Sequence, residues 1–208
     1  MRGRLIAVEG VEGAGKTTLA AAIAGHLEEK GLRVSVFREP GGTALGESIR
    51  RILLHSEMDI PARTEVFLFM ASRAQLVVEK IIPALSAGRT VVLDRYLLSS
   101  VAYQGGAGDL GIEGVIEIGR LAIEGAAPDL TLLLDIDPRQ GLGRLSTRRF
   151  DRIEKKGLSY HEKVRRSFLD AARIYPWPVV VIDAARPMAQ VHEEARRAVD
   201  ALFEHTRT

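Results

Sequence analysis

The chain has 208 residues, 46% hydrophobic and 27% charged, with a formal net charge of +2, a balance that suits one globular domain with a substantial core. So small a net charge gives no electrostatic ground for a nucleic-acid or membrane surface, and the lack of cysteine excludes a disulfide frame and a thiolate metal site. No apolar run nears the ~20 residues of a membrane helix and residues 1–5 lack the apolar core of a signal peptide, so the expected location is the cytoplasm.

Arginine dominates the cations, 23 against 6 lysines. Guanidinium forks match phosphate oxygens two at a time, which suits phosphate handling. Codon bias explains the excess equally well, since the chain also has no asparagine.

In chain order, apolar runs of strand length alternate with stretches of helical period. Residues 5–9 read as a strand, and 16–30 as a helix stopped by Gly31. Residues 34–37 form a second strand, 45–54 a helix, and a further helix starts near Pro61. Strands follow at 90–93, 130–135 and 179–182, and a helix over 189–203 ends the pattern. The strands are nearly continuous Val, Ile and Leu, as in a parallel sheet buried on both faces. The expected fold is therefore α/β: a three-layer, five-stranded parallel sheet flanked by helices, with ligands at the C-terminal strand ends. The charged stretch 144–163 breaks the rhythm and reads as an exposed helical insert or mobile lid, its lid part about 144–158. No linker or repeat divides residues 1–208.

Between the first strand and its helix stands Gly10-Val11-Glu12-Gly13-Ala14-Gly15-Lys16-Thr17, followed by Thr18. It matches G-x4-G-K-[ST] in full, in the strand–loop–helix setting of a P-loop NTPase. The glycines let backbone N–H groups curl around phosphate oxygens, and the helix adds its positive end. Lys16 is placed for the β and γ phosphates and Thr17 for Mg²⁺. A guanine-reading Asn-Lys-x-Asp is impossible without asparagine, and no Asp-x-x-Gly follows, which leaves ATP as the expected donor.

The second strand runs into Arg38-Glu39-Pro40-Gly41-Gly42, a turn entered by a charged pair. The third ends in Asp94-Arg95-Tyr96, where Asp94 suits a water-mediated Mg²⁺ ligand or a surface ion pair. Phe69 and Arg73, four residues apart on a helix, would present a ring beside a guanidinium to a planar base. On spacing alone, Phe69 reads as core and Arg73 as a solvated charge.

Together these segments make the chain resemble the bacterial thymidylate kinases over essentially its whole length. The matching elements are GVEGAGKTT (10–18), REPGGT (38–43), FMASR (69–73), DRYLLSSVAYQGG (94–106), PDLTLLLD (128–135) and DRIE (151–154). The resemblance implies transfer of a phosphoryl group from ATP to dTMP with Mg²⁺ held by Thr17 and Asp94. It implies that Phe69 stacks on thymine, Arg73 contacts the base, and Arg50 and Arg95 bind the acceptor phosphate. It places Ser100 and Gln104 at the pyrimidine edge, Tyr103 and Glu12 near the sugar, and Glu39 and Pro40 beside the substrate. Glu12 is also expected near the metal and in the catalytic set with Lys16 and Arg95.

Arg144, Arg148, Arg149 and Arg152 cluster after the fourth strand, where the family carries a lid. A non-basic P-loop resembles the subgroup whose lid supplies the catalytic arginine, from Arg148, Arg149 or Arg152. A guanidinium there would stabilise the moving phosphoryl group, an effect worth ~10³–10⁵ in rate. The resemblance also implies a homodimer, with Val66, Met70 and Val77 available for its interface or for the core. The alternatives are a kinase of the same fold with another acceptor and a P-loop ATPase with none.

Overall fold

The computed structural model describes residues 2–145 and 151–204. Five parallel strands form one sheet in the order β2-β3-β1-β4-β5. They are β1 (Leu5–Gly10), β2 (Val34–Arg38), β3 (Thr90–Asp94), β4 (Leu130–Asp135) and β5 (Val179–Asp183). Their register pairs Arg38 with Asp94, Val8 with Asp94, and Gly10 with Leu134, so the strand ends reach one common edge.

The three central strands are buried along nearly their whole length, as their unbroken Val, Ile and Leu require. The expectation of burial on both faces fails at the rims. Val36 of β2 is 48% exposed and Val181 of β5 is 45% exposed, because each edge strand has a neighbour on one side only.

Helices cover the sheet: α1 (Lys16–Glu29), α2 (Ala44–His55), α3 (Ala62–Leu76), α4 (Ile82–Ser86), α5 (Leu97–Ser100), α6 (Ile112–Ala122), α7 (Pro138–Gly143), α8 (Leu158–Ile174) and α9 (Met188–Glu204). Local chemistry sets their ends. Thr43 Oγ1 accepts the Gly46 N–H at 2.9 Å to cap α2, and Asp137 with Pro138 opens α7. α3 runs into α4 through a π-helical turn, Val77–Ile81, just before Pro83, which has no N–H to return to the preceding turn. α5 likewise opens into a π-helical segment, Val101–Ala107, containing Gly105 and Gly106.

The described part of the charged stretch 144–163 is not one exposed insert. It holds a 3₁₀ turn, Glu154–Lys156, and then the start of α8. His161, Val164 and Phe168 of α8 are buried, because they fall three and four residues apart on one helix face. Val66, Met70 and Val77 are buried inside this same chain at 6% exposure or less. Among the described residues, no helix is long and apolar enough to cross a membrane.

Candidate active site

The phosphate loop leaves β1 at Gly10 and reaches α1 through Gly13 and Gly15, at φ of 139°, 70° and 99°. A Cβ on Gly13 would lie 1.9 Å from the Gly141 carbonyl oxygen, and one on Gly141 would lie 2.2 Å from that of Glu12. Loop and α7 therefore touch backbone to backbone, and glycine is required on both sides. Val11 and Ala14 pack their side chains into the core, while Glu12, Gly13, Gly15, Lys16, Thr17 and Thr18 line the cleft.

Lys16 is 7% exposed, and its Nζ donates to the Val11 carbonyl at 2.6 Å. Burial, and then the neighbouring Arg95, pull its ammonium down to about 7. Thr17 Oγ1 donates to Asp94 Oδ2 at 2.5 Å. No cluster of three or more acidic or histidine ligands exists among the described residues. The Thr17–Asp94 pair thus fits Mg²⁺ that arrives with nucleotide oxygens completing its shell, not a bare ion.

Arg95 follows β3 with φ of 70°, a conformation rare for a side chain of its size. That turn carries its guanidinium across the loop. Nη1 donates to the Gly10 carbonyl at 3.1 Å and to Ser99 Oγ at 3.0 Å, and Nη2 to Glu12 Oε1 at 3.1 Å. The Tyr103 hydroxyl donates to the same Glu12 oxygen at 2.5 Å, with its ring 5.3 Å from the guanidinium. Glu12 Oε2 lies 3.2 Å from His161 Nδ1, in ion-pair range without hydrogen-bond alignment. Burial raises the Glu12 carboxyl, but His161, Arg95, Lys16 and Tyr103 together hold it below the usual carboxylate range. Conversely, burial lowers His161 while Glu12 and then Glu154 raise it, for a net rise.

On the far side of the cleft, Glu39 and Arg73 form a buried pair, 2.8 Å from Nε and 2.7 Å from Nη2 to Oε2. Burial pushes the Glu39 carboxyl up to about 7 against the pull of Arg73. Arg73 also donates to Ser100 Oγ at 3.1 Å and to the Tyr96 carbonyl at 2.9 Å. Arg50 Nη1 donates to the Pro40 carbonyl at 2.7 Å. Phe69 lies half-buried beside them. A single cleft enclosing about 390 Å³ joins Lys16 and Thr17 to Phe69, Arg73, Arg95, Ser100, Tyr103 and Gln104.

Arg148 and Arg149 lie outside the described residues. Arg144 lines the cleft and donates to the Gly13 carbonyl at 3.2 Å. Arg152 points elsewhere, to Glu65 Oε1 at 2.6 Å and the Leu53 carbonyl at 2.8 Å. The DRIE motif is a capping box: Asp151 Oδ1 accepts the Glu154 N–H, and Glu154 Oε2 accepts the Asp151 N–H, both at 2.9 Å.

Three site residues escaped the sequence reading. Glu9, fully buried, accepts the Tyr96 and Ser99 N–H groups at 2.9 and 3.0 Å and so caps the first turn of α5. A lone carboxylate in the apolar strand LIAVEG was its signal. Glu65 sits four residues before Phe69 on the same helix face. His161 joins α8 to the phosphate loop, and no local pattern announces that contact.

A family model described as thymidylate kinase matches residues 8–195. A thymidylate kinase of a Geobacillus species is 45% identical, covering 92% of this chain and 93% of its own length. That of Caldanaerobacter subterraneus is 42% identical, covering 96% of each. That of Geobacillus thermodenitrificans is 43% identical, covering 98% and 92%. A phosphate loop, a base-sized pocket across one cleft and these likenesses agree: the chain belongs to the thymidylate kinase family.

Proposed function

We propose that this protein phosphorylates dTMP to dTDP at the expense of ATP, an ATP:dTMP phosphotransferase serving dTTP synthesis. One observation carries the reading: Lys16 of the phosphate loop and the Phe69–Arg73 pocket line one cleft, with Arg95 between them. The backbone N–H groups of residues 10–18 and the N-terminus of α1 bind the donor phosphates, and Lys16 reaches their β and γ oxygens. Mg²⁺, held by Thr17 and Asp94 together with the nucleotide, would neutralise charge on those oxygens.

Thymine stacks on Phe69, with Arg73, Ser100 and Gln104 around its edge. Tyr103 and Glu12 face the sugar, Glu39 and Pro40 shape the pocket wall, and Arg50 and Arg95 hold the acceptor phosphate. An oxygen of that phosphate, largely ionised at neutral pH, attacks the γ-phosphorus in line as the bond to the β,γ-bridging oxygen breaks. No general base is required. Catalysis rests on positioning and charge, from Lys16, Arg95 and a lid arginine. Arg152 reaches the phosphates only by leaving Glu65, and Arg148 and Arg149 remain the other candidates for the lid arginine.

The chain works as one domain, 1–208, with its lid over about 144–158, in the cytoplasm. It pairs as a homodimer through the apolar residues that α3 and its π-helical continuation leave outside, Phe67 at 57% and Val78 at 69% exposure.

The test is ADP release by purified protein with ATP and Mg²⁺, alone and with dTMP, dUMP, dCMP or dGMP, with dTDP identified as product. The reading expects turnover that requires an acceptor and is fastest with dTMP. A different fastest acceptor would make this a kinase of another substrate. Equal ADP release with and without acceptor would make it an ATPase.

A further inference from the structure

Glu65 is 1% exposed, and both of its oxygens are engaged. Oε2 accepts from Gln104 Nε2 at 3.0 Å, while Oε1 accepts from Arg152 Nη2 at 2.6 Å and Lys156 Nζ at 3.2 Å. Burial raises its carboxyl, but the bonds from Gln104 and Arg152 and the charges of Lys156 and Arg152 outweigh that and lower it. It is therefore ionised at neutral pH and can only accept hydrogen bonds.

An obligatory acceptor dictates which way a neighbouring amide faces. The Gln104 NH₂ must turn to Glu65, which turns its carbonyl the other way. That carbonyl, Oε1, is buried with no hydrogen-bond partner, and Gln104 lines the cleft. A buried orphan acceptor in a ligand cleft selects a ligand that brings a donor. N3 of thymine carries a hydrogen and is such a donor. N3 of cytosine carries a lone pair and would face the carbonyl lone pair to lone pair.

We propose that Glu65 is a positioning residue for acceptor selectivity: it holds the Gln104 carbonyl toward the nucleobase and so favours an N3–H pyrimidine over cytosine. The proposal rests on the dTMP reading above. Nothing in it requires Glu65 to touch substrate. Its second oxygen ties the same carboxylate to Arg152 and Lys156, so the base reader and the segment after β4 share one anchor.

The experiment compares kcat/KM for dTMP and dCMP in the unmodified protein, Glu65→Gln, Gln104→Leu and the double variant. Glu65→Gln keeps the shape but can donate or accept, which frees the Gln104 amide to flip. An unmade hydrogen bond to a buried group is worth ~1–3 kcal/mol, so the dTMP-to-dCMP ratio should fall about 10- to 100-fold in Glu65→Gln. The dTMP loss should lie mainly in KM. In the Gln104→Leu background the Glu65 change should leave the ratio alone.

Equal losses on both substrates, or the same ratio change without Gln104, would overturn the proposal and leave only a structural role. A readout on the unmodified protein guards against a variant that does not fold. The side-chain NH₂ resonances of Gln104 should keep their hydrogen-bonded shifts when dTMP binds, and a shift to new partners would contradict the assignment. Unmodified protein that makes no dTDP overturns the function with the proposal. Protein that makes dTDP with a Glu65-insensitive ratio overturns the proposal alone.

Discussion

Charge at the loop is balanced residue by residue. Lys16 is a buried cation and Arg95 a half-buried one, and Glu12 and Asp94 are the anions beside them that make this burial tolerable. Incoming phosphates bring more negative charge, so the site holds its arginine on the protein's own carboxylate until substrate competes for it. His161 supports Glu12 from behind. Facing it are Glu12 from the phosphate loop, Glu154 from the 3₁₀ turn and the Tyr160 ring from its own helix. Its folded-state pKa is raised above the ordinary 6.5, so protonated His161 stabilises the fold. That contribution is complete below about pH 6.5 and disappears as pH rises through the raised value. Thermal melting followed from pH 6 to 9 should therefore show the stability difference between the unmodified protein and His161→Gln shrinking as pH rises. His161→Gln should melt lower at pH 6 and lose this part of the pH dependence. A variant with the same slope would place the titration elsewhere.

At the scale of elements, the loop is shaped from two directions, by its own glycines and by α7 pressing on it through Gly141. Gly141 is helical and would tolerate alanine anywhere with room. Here the added methyl meets the Glu12 carbonyl oxygen at 2.2 Å, so Gly141→Ala must push the phosphate loop or α7 aside. A displacement near 1 Å in a positioned site costs about a hundredfold in rate, and that loss in kcat/KM for ATP is the expected result. Steady-state kinetics beside a melting curve checks it. Near-normal kinetics would show that the contact is soft.

The same contact shows what a sequence conceals. The phosphate loop was legible because its backbone demands glycine at fixed spacing. The strands were legible because buried parallel strands are apolar without interruption, and their bounds shift by only a residue or so at either end. α8 was hidden by its charge, since its apolar face is narrow. Glu65 and His161 were hidden because each partners residues distant in the chain, and their types alone announce nothing. Arg152 is the converse case: basic residues in a lid suggest phosphate, while in this structure its guanidinium holds a carboxylate on α3.

For the whole molecule, the topology places two binding devices at one sheet edge. In the proposed function β1 and α1 carry the donor cradle, β2 with α2 and α3 the acceptor pocket, and β3 brings Asp94 and Arg95 to the same cleft. Segments far apart in sequence become one cleft because every strand is parallel and ends on the same side. The central claim is that two nucleotides meet there with their phosphates in line. Calorimetry with a single molecule joining adenosine and thymidine through five phosphates tests that claim most directly. The account predicts one molecule bound per chain, more tightly than ATP or dTMP alone, and displaced by either nucleotide. Displacement by ATP but not by dTMP would contradict it.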